Sequence, residues 1–127
     1  MTKTILSDKA PQPIGPYSQA IVAEGKFLFI SGQLGLMPDG NFAGDDAETQ
    51  TLQVLKNIEA VLNAAGCTPK DVVKTTLLLK NMNDFALVNE IYGRYFGESK
   101  PARATMEVCR LPKDGLVCID AIALVNE

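Results

Sequence analysis

The chain contains no histidine, and that absence narrows its chemistry more than any residue present. No Ser-His-Asp triad and no Cys-His pair can form, and the commonest zinc ligand is missing. The three cysteines, Cys67, Cys109 and Cys118, show no C-x-x-C spacing. A thiolate metal site would need a fourth ligand from elsewhere, and an odd count argues against a disulfide framework. No metal site is expected, and the thiols are read as free, in a reducing compartment. Chemistry is left to Arg, Lys, Asp, Glu, Tyr, Ser, Thr, Cys, backbone groups and water. Two places near the C-terminal end set such groups at strand spacing. Arg103, Thr105, Glu107 and Cys109 alternate with Ala104, Met106 and Val108, so they share one face of an extended run. Cys118 and Asp120 share a strand face one side-chain step apart, ~7 Å along the strand.

Those residues need elements to hold them. Ala10 to Tyr17 reads APQPIGPY, and its three prolines make it extended or turned. A strand is expected at Ser18 to Val22, a hairpin turn at Glu24-Gly25-Lys26, and a second strand at Phe27 to Ser31. Pro38-Asp39-Gly40-Asn41 is a turn. Asp45 or Asp46 caps a helix running to about Ala65, whose apolar Val54, Leu55, Ile58, Val61, Leu62 and Ala65 recur at helical spacing. Gly66 and Pro69 close it. Asp71 to Lys80 follows as a strand rich in Val, Thr and Leu. Asn83 is the expected N-cap of a second helix reaching Phe96, with Phe85, Val88, Tyr92, Tyr95 and Phe96 as its buried stripe. Strands at Arg103 to Arg110 and Leu116 to Val125 complete the order β-β-α-β-α-β-β.

The 127 residues suffice for one domain, residues 1–127, with one core. No apolar run of about 18 residues exists, so no membrane span is expected. MTKTILSDKAPQP has no apolar core of a secretory signal, and a cytoplasmic location is expected. Net charge is −3, with no Lys/Arg block and 6% aromatics, which argues against a nucleic-acid groove. Two helices can cover only one face of a sheet of this size. The last strand, LVCIDAIALV, is apolar on both faces. Its second face needs a cover, and self-association is the simplest one.

The segments PQPIGPYSQA, ISGQL, VVKTTLLLKNMNDFALVNEIYGRYF and PARATMEVCRLPKDG followed by IDAIALV, in this order, resemble the RidA (YjgF-type) family over about Met1 to Val125. The resemblance implies an α+β, chorismate-mutase-like fold: a mixed sheet with two helices on one face. It implies a homotrimer whose sheets form a central barrel, with clefts between neighbouring subunits. Each cleft would take a small 2-imino or enamino acid, or a 2-keto acid. Water would attack the C=N carbon and ammonia would leave, giving the 2-keto acid without any cofactor.

The same resemblance assigns roles. Arg103, in PAR, matches the arginine that holds the substrate carboxylate, a task suited to the planar guanidinium fork. Tyr17 matches a tyrosine lining the cleft, Ser31 and Gly32 a strand end pointing into it, and Asn89 a residue of the second helix. Thr105 stands where the deaminases usually carry cysteine, and its backbone N–H contact survives that change. Cys118 stands where active members carry a water-orienting glutamate. A thiol of ordinary pKa is mostly neutral at pH 7 and a poor acceptor. Asp120 is the carboxylate that could stand in for it. The alternative reading is a non-catalytic trimer that binds 2-keto acids through Arg103 and regulates.

Overall fold

The computed structural model describes residues 1–125; the expected domain's last two residues, Asn126 and Glu127, lie outside them. The elements are strands β1 (Thr2–Ile5), β2 (Ala20–Ala23) and β3 (Lys26–Leu34), helix α1 (Ala47–Ala64), β4 (Val72–Leu79), helix α2 (Phe85–Phe96), β5 (Ala102–Glu107) and β6 (Val117–Val125). A four-stranded mixed sheet has the order β3-β6-β4-β5, with β4 and β5 parallel and the other pairs antiparallel. The mixed sheet with α-helices packed against it is the α+β arrangement expected.

Four local readings need correction. Thr2–Ile5 is a strand, so the order gains a first β; TKTI is largely exposed and has no apolar alternation to announce it. It pairs with β2 in a separate two-stranded sheet. The turn at Gly25 is real, with φ +133°, but it joins two sheets and makes no hairpin, because β3 pairs with β6. Asn83 does not cap α2. The Asn81 side chain accepts from the Asn83 N–H at 2.9 Å, and a 3₁₀ turn over Met82–Asp84 leads into the helix. β5 ends at Glu107 where a strand to Arg110 was expected.

Helix α1 begins as its sequence dictates. Asp46 Oδ1 accepts from the Thr49 N–H at 2.7 Å, satisfying a first-turn donor. Gly66 takes φ +75° just past its end. The helices cover one sheet face. Val54, Ile58 and Leu62 of α1 and Val88, Tyr92 and Phe96 of α2 are fully buried against Leu77, Leu79, Val117, Ile119 and Ala123. Val61, expected in the α1 stripe, is at its margin, 36% exposed. The opposite sheet face is open. Phe29 on β3 is 73% exposed and Met106 on β5 is 44% exposed.

Candidate active site

The proline-rich segment is tied to the sheet by Ser18. Its hydroxyl donates to the Lys100 carbonyl at 2.6 Å, and Ser18 bridges Ala102 at the start of β5. Tyr17 is thereby set beside the edge strand. Pro16 lies against Gly93 of α2, where an added Cβ would sit 3.3 Å from its ring. The Ile14 N–H donates to the Tyr17 hydroxyl at 3.4 Å, curling the loop over the ring.

Helix α2 supplies the facing wall. Phe85, Asn89 and Tyr92 stand at i, i+4 and i+7, which is one helix stripe. Below them lies Arg103, in register with the buried Thr75 of β4 and therefore on the helix side of the sheet. Arg103 Nη1 donates to Asn89 Oδ1 at 2.7 Å. Its Cζ lies 4.8 Å from the Tyr92 ring centroid, 5.3 Å from Tyr17 and 5.7 Å from Phe85. Among the described residues, no carboxylate forms a salt bridge with it. Burial pulls the guanidinium below its usual range, and the neighbouring Tyr92 and Tyr17 oppose that pull. It stays charged at any working pH.

These groups line a cleft of about 290 Å³ bounded by Ile14, Gly15, Tyr17, Phe85, Asn89, Arg103 and Thr105. Thr105 is in register with Leu77, on the same sheet face as Arg103. Its Oγ1 is buried and has no hydrogen-bond partner among the described residues. The cleft therefore offers an uncompensated cation, a ring on either hand and an unpaired hydroxyl. That set suits a small carboxylate whose body is apolar.

The remaining sequence-derived residues form a second cluster on the other face. Cys118 and Asp120 are in register with Leu78 and Thr76, and so oppose the helix side. A shift in the β3–β6 register between Ile30 and Gln33 puts Ser31 and Gly32 in a bulge beside them. Gly32 makes room there for the thiol: an added Cβ would lie 2.8 Å from Cys118 Sγ and would displace it. Asp120 Oδ1 accepts from the Thr76 N–H at 3.0 Å. Burial pushes the Cys118 thiol up, and the Asp120 charge adds to that, so the sulfur stays protonated near neutral pH.

Thus Tyr17, Asn89, Arg103 and Thr105 come together, while Ser31, Gly32, Cys118 and Asp120 gather across the sheet from them. One subunit does not unite the two groups. Sequence reasoning missed Ile14, Gly15 and Phe85 as cleft residues, and Tyr92 as the buried ring beneath Arg103. Phe85 and Tyr92 carried a signal, their helical spacing with Asn89, but apolar periodicity reads them as core.

A protein-family model described as Endoribonuclease L-PSP matches residues 7–125. A RutC family protein of Pyrococcus horikoshii is 57% identical over 124 residues, which cover 97% of this chain and 98% of that one. A 2-iminobutanoate/2-iminopropanoate deaminase of Mus musculus is 49% identical over 123 residues, covering 96% of this chain and 90% of the relative. The crystal structure of E. coli TdcF with bound serine superposes with a TM-score of 0.74 at 38% identity, covering 98% of this chain and 99% of that one.

Proposed function

This chain belongs to the RidA/YjgF family, that of the Endoribonuclease L-PSP model, and we propose that it hydrolyses reactive 2-imino and enamino acids to 2-keto acids and ammonia. The observation that carries this reading is Arg103: a half-buried guanidinium in a small cleft, oriented by Asn89 and three rings, with no acidic partner among the described residues. A substrate carboxylate supplies the missing charge, and two parallel N–H···O bonds fix its plane. Net charge −3 and the lack of a basic run weigh against a nucleic-acid substrate.

The chemistry asks little of the protein. An enamine tautomerises to the imine, water adds to the C=N carbon, and the resulting carbinolamine expels ammonia as the carbonyl forms. The water's protons end on nitrogen, so no cofactor enters. Arg103 holds the carboxylate, Tyr17 walls the site, and the backbone N–H of Thr105 meets the reacting end. Ser31, Gly32 and Asp120 face the attacking water from the second cluster. A protonated Cys118 is a poor acceptor for it, which leaves Asp120 as the carboxylate of β6.

The two clusters belong to one site only if they come from neighbouring subunits. We read the assembly as a homotrimer of chorismate-mutase-like subunits, each one domain over residues 1–127, with the open sheet faces forming a barrel. The three free thiols suit the cytosol. The test generates 2-imino acids in place with an amino-acid oxidase and follows their loss with and without the protein. Decay at the uncatalysed rate, with 2-keto-acid binding retained, would instead establish the regulatory trimer.

A further inference from the structure

The cleft's cation rests on a buried pair that no substrate reaches. Thr75 Oγ1 and the Tyr92 hydroxyl lie 2.6 Å apart, and both residues are 0% exposed. Thr75 is the register neighbour of Arg103 on β4, and the Tyr92 ring carries the Arg103 guanidinium on its face at 4.8 Å, closer than the other two rings. The pair thus pins an α2 ring to the strand beside the arginine. Packing alone does not call for it: replacing both partners of a buried hydrogen bond by apolar groups of the same shape is nearly neutral. A Val-Phe pair would fill this space. What the hydroxyls add is direction, since a ring held only by packing can tilt and the cation above it follows.

We propose that Thr75 and Tyr92 are positioning residues that fix the plane of the Arg103 guanidinium and so aim its free edge at the substrate carboxylate. The proposal rests on the deaminase reading for its ligand, but the orientation of Arg103 can be observed without one. Asn89 restrains one nitrogen from the side; Tyr92 restrains the plane from beneath. Gly15 lies beside the other nitrogen, a Cβ built there falling at van der Waals distance, 3.7 Å, from Nη2.

The test is the double substitution Thr75→Val/Tyr92→Phe, which leaves no orphaned hydroxyl, beside Thr75→Ser, which keeps the bond. Rotation of the guanidinium about Nε–Cζ is read by nitrogen NMR for Arg103, with exposed Arg94 and Arg110 as references. Slow rotation is expected in the natural protein and in Thr75→Ser, and faster rotation in the double variant. Binding of 2-oxobutanoate should weaken about threefold to tenfold in the double variant. KM for the imine should rise by a similar factor with kcat nearly unchanged, as for a contact made equally in ground and transition states.

Unchanged rotation and binding in a folded double variant would overturn the proposal and leave the deaminase reading intact. So would a Thr75→Ser variant as impaired as the double one. Should the double variant not fold, the natural protein decides: an Arg103 that rotates as fast as Arg94 refutes the positioning role. If rotation responds as expected but 2-oxobutanoate does not bind even the natural protein, the positioning role stands and the substrate reading falls.

Discussion

Arg103 and Cys118 pose opposite problems at the scale of single residues. Arg103 is a charge without a counter-charge among the described residues, tolerable because aromatic faces and Asn89 replace part of its water. Arg103→Ala removes the group that makes the cleft attractive to a carboxylate and leaves the strand ladder in place. It should cost about 2–5 kcal/mol of 2-keto-acid binding, as loss of a partly desolvated charge partner does, measured by calorimetry with an unchanged circular-dichroism spectrum. Cys118 is a neutral thiol in a cluster that would handle water. Cys118→Glu should raise the hydrolysis rate, by up to about 10²–10⁴-fold if proton transfer limits it. Asp120→Asn separates the two carboxylate roles. If Asp120 already serves the water, this change alone cripples the natural protein and Cys118→Glu adds little. Should neither substitution alter the imine half-life, no carboxylate on β6 takes part, and Arg103 with backbone contacts carries the catalysis.

The elements were legible where period and caps are local. The Asp46 cap, the α1 stripe and its Gly66 end, the bounds of β4 and the two-faced character of β6 all follow from spacing within one segment. What escaped depends on pairing between distant segments. β1 exists because β2 offers it an edge, and the supposed hairpin fails because β3 finds β6. The division of the site residues between two sheet faces needs the register of β5 on β4 and of β6 on β4, which no single-strand pattern contains. Tyr95 on α2, expected in the buried stripe, is half-buried at its margin, and its buried hydroxyl has no partner among the described residues. Tyr95→Phe should therefore stabilise the fold by about 1–3 kcal/mol, the cost of an unsatisfied buried hydroxyl, seen as a higher midpoint in denaturant. Its pH dependence is also set. Burial pushes Tyr95 and Cys118 up and Tyr92 from 10.0 to about 12, so the folded chain holds these protons more tightly than the unfolded one. The contribution of these three groups to stability should be flat with pH up to the unfolded values, near 9.0 for the thiol and 10.0 for the phenols, and fall above them. Tyr95→Phe should flatten that alkaline fall, and an identical slope in both proteins would show that Tyr95 is not a source of it.

For the whole molecule, the proposed homotrimer answers the open sheet face and the divided site together. A face carrying Phe29 at 73% exposure and Met106 at 44% is costly in water, and it is the same face that bears Cys118 and Asp120. In the homotrimer proposed above, packing it against a second copy would bury the apolar surface and bring that cluster within reach of another subunit's Arg103. Stability and activity are then coupled through assembly. Phe29→Asp places a charge in the interface and should shift a sedimenting trimer toward monomers at micromolar concentration. Hydrolysis should fall with the trimer fraction, although every residue of both clusters is intact. Mixing supplies the stricter test. Arg103→Ala kills one half of each cleft, and Gly32→Val, which drives a side chain into Cys118, kills the other. If each cleft takes one half from each of two subunits, trimers co-assembled from the two inactive chains contain a cleft with both halves natural. Activity should reappear on co-refolding at up to about one cleft in three, as expected of a closed ring of three heterologous interfaces. A site built within one subunit would give none at any mixing ratio, and that result would unseat the shared cleft while leaving the trimer itself standing.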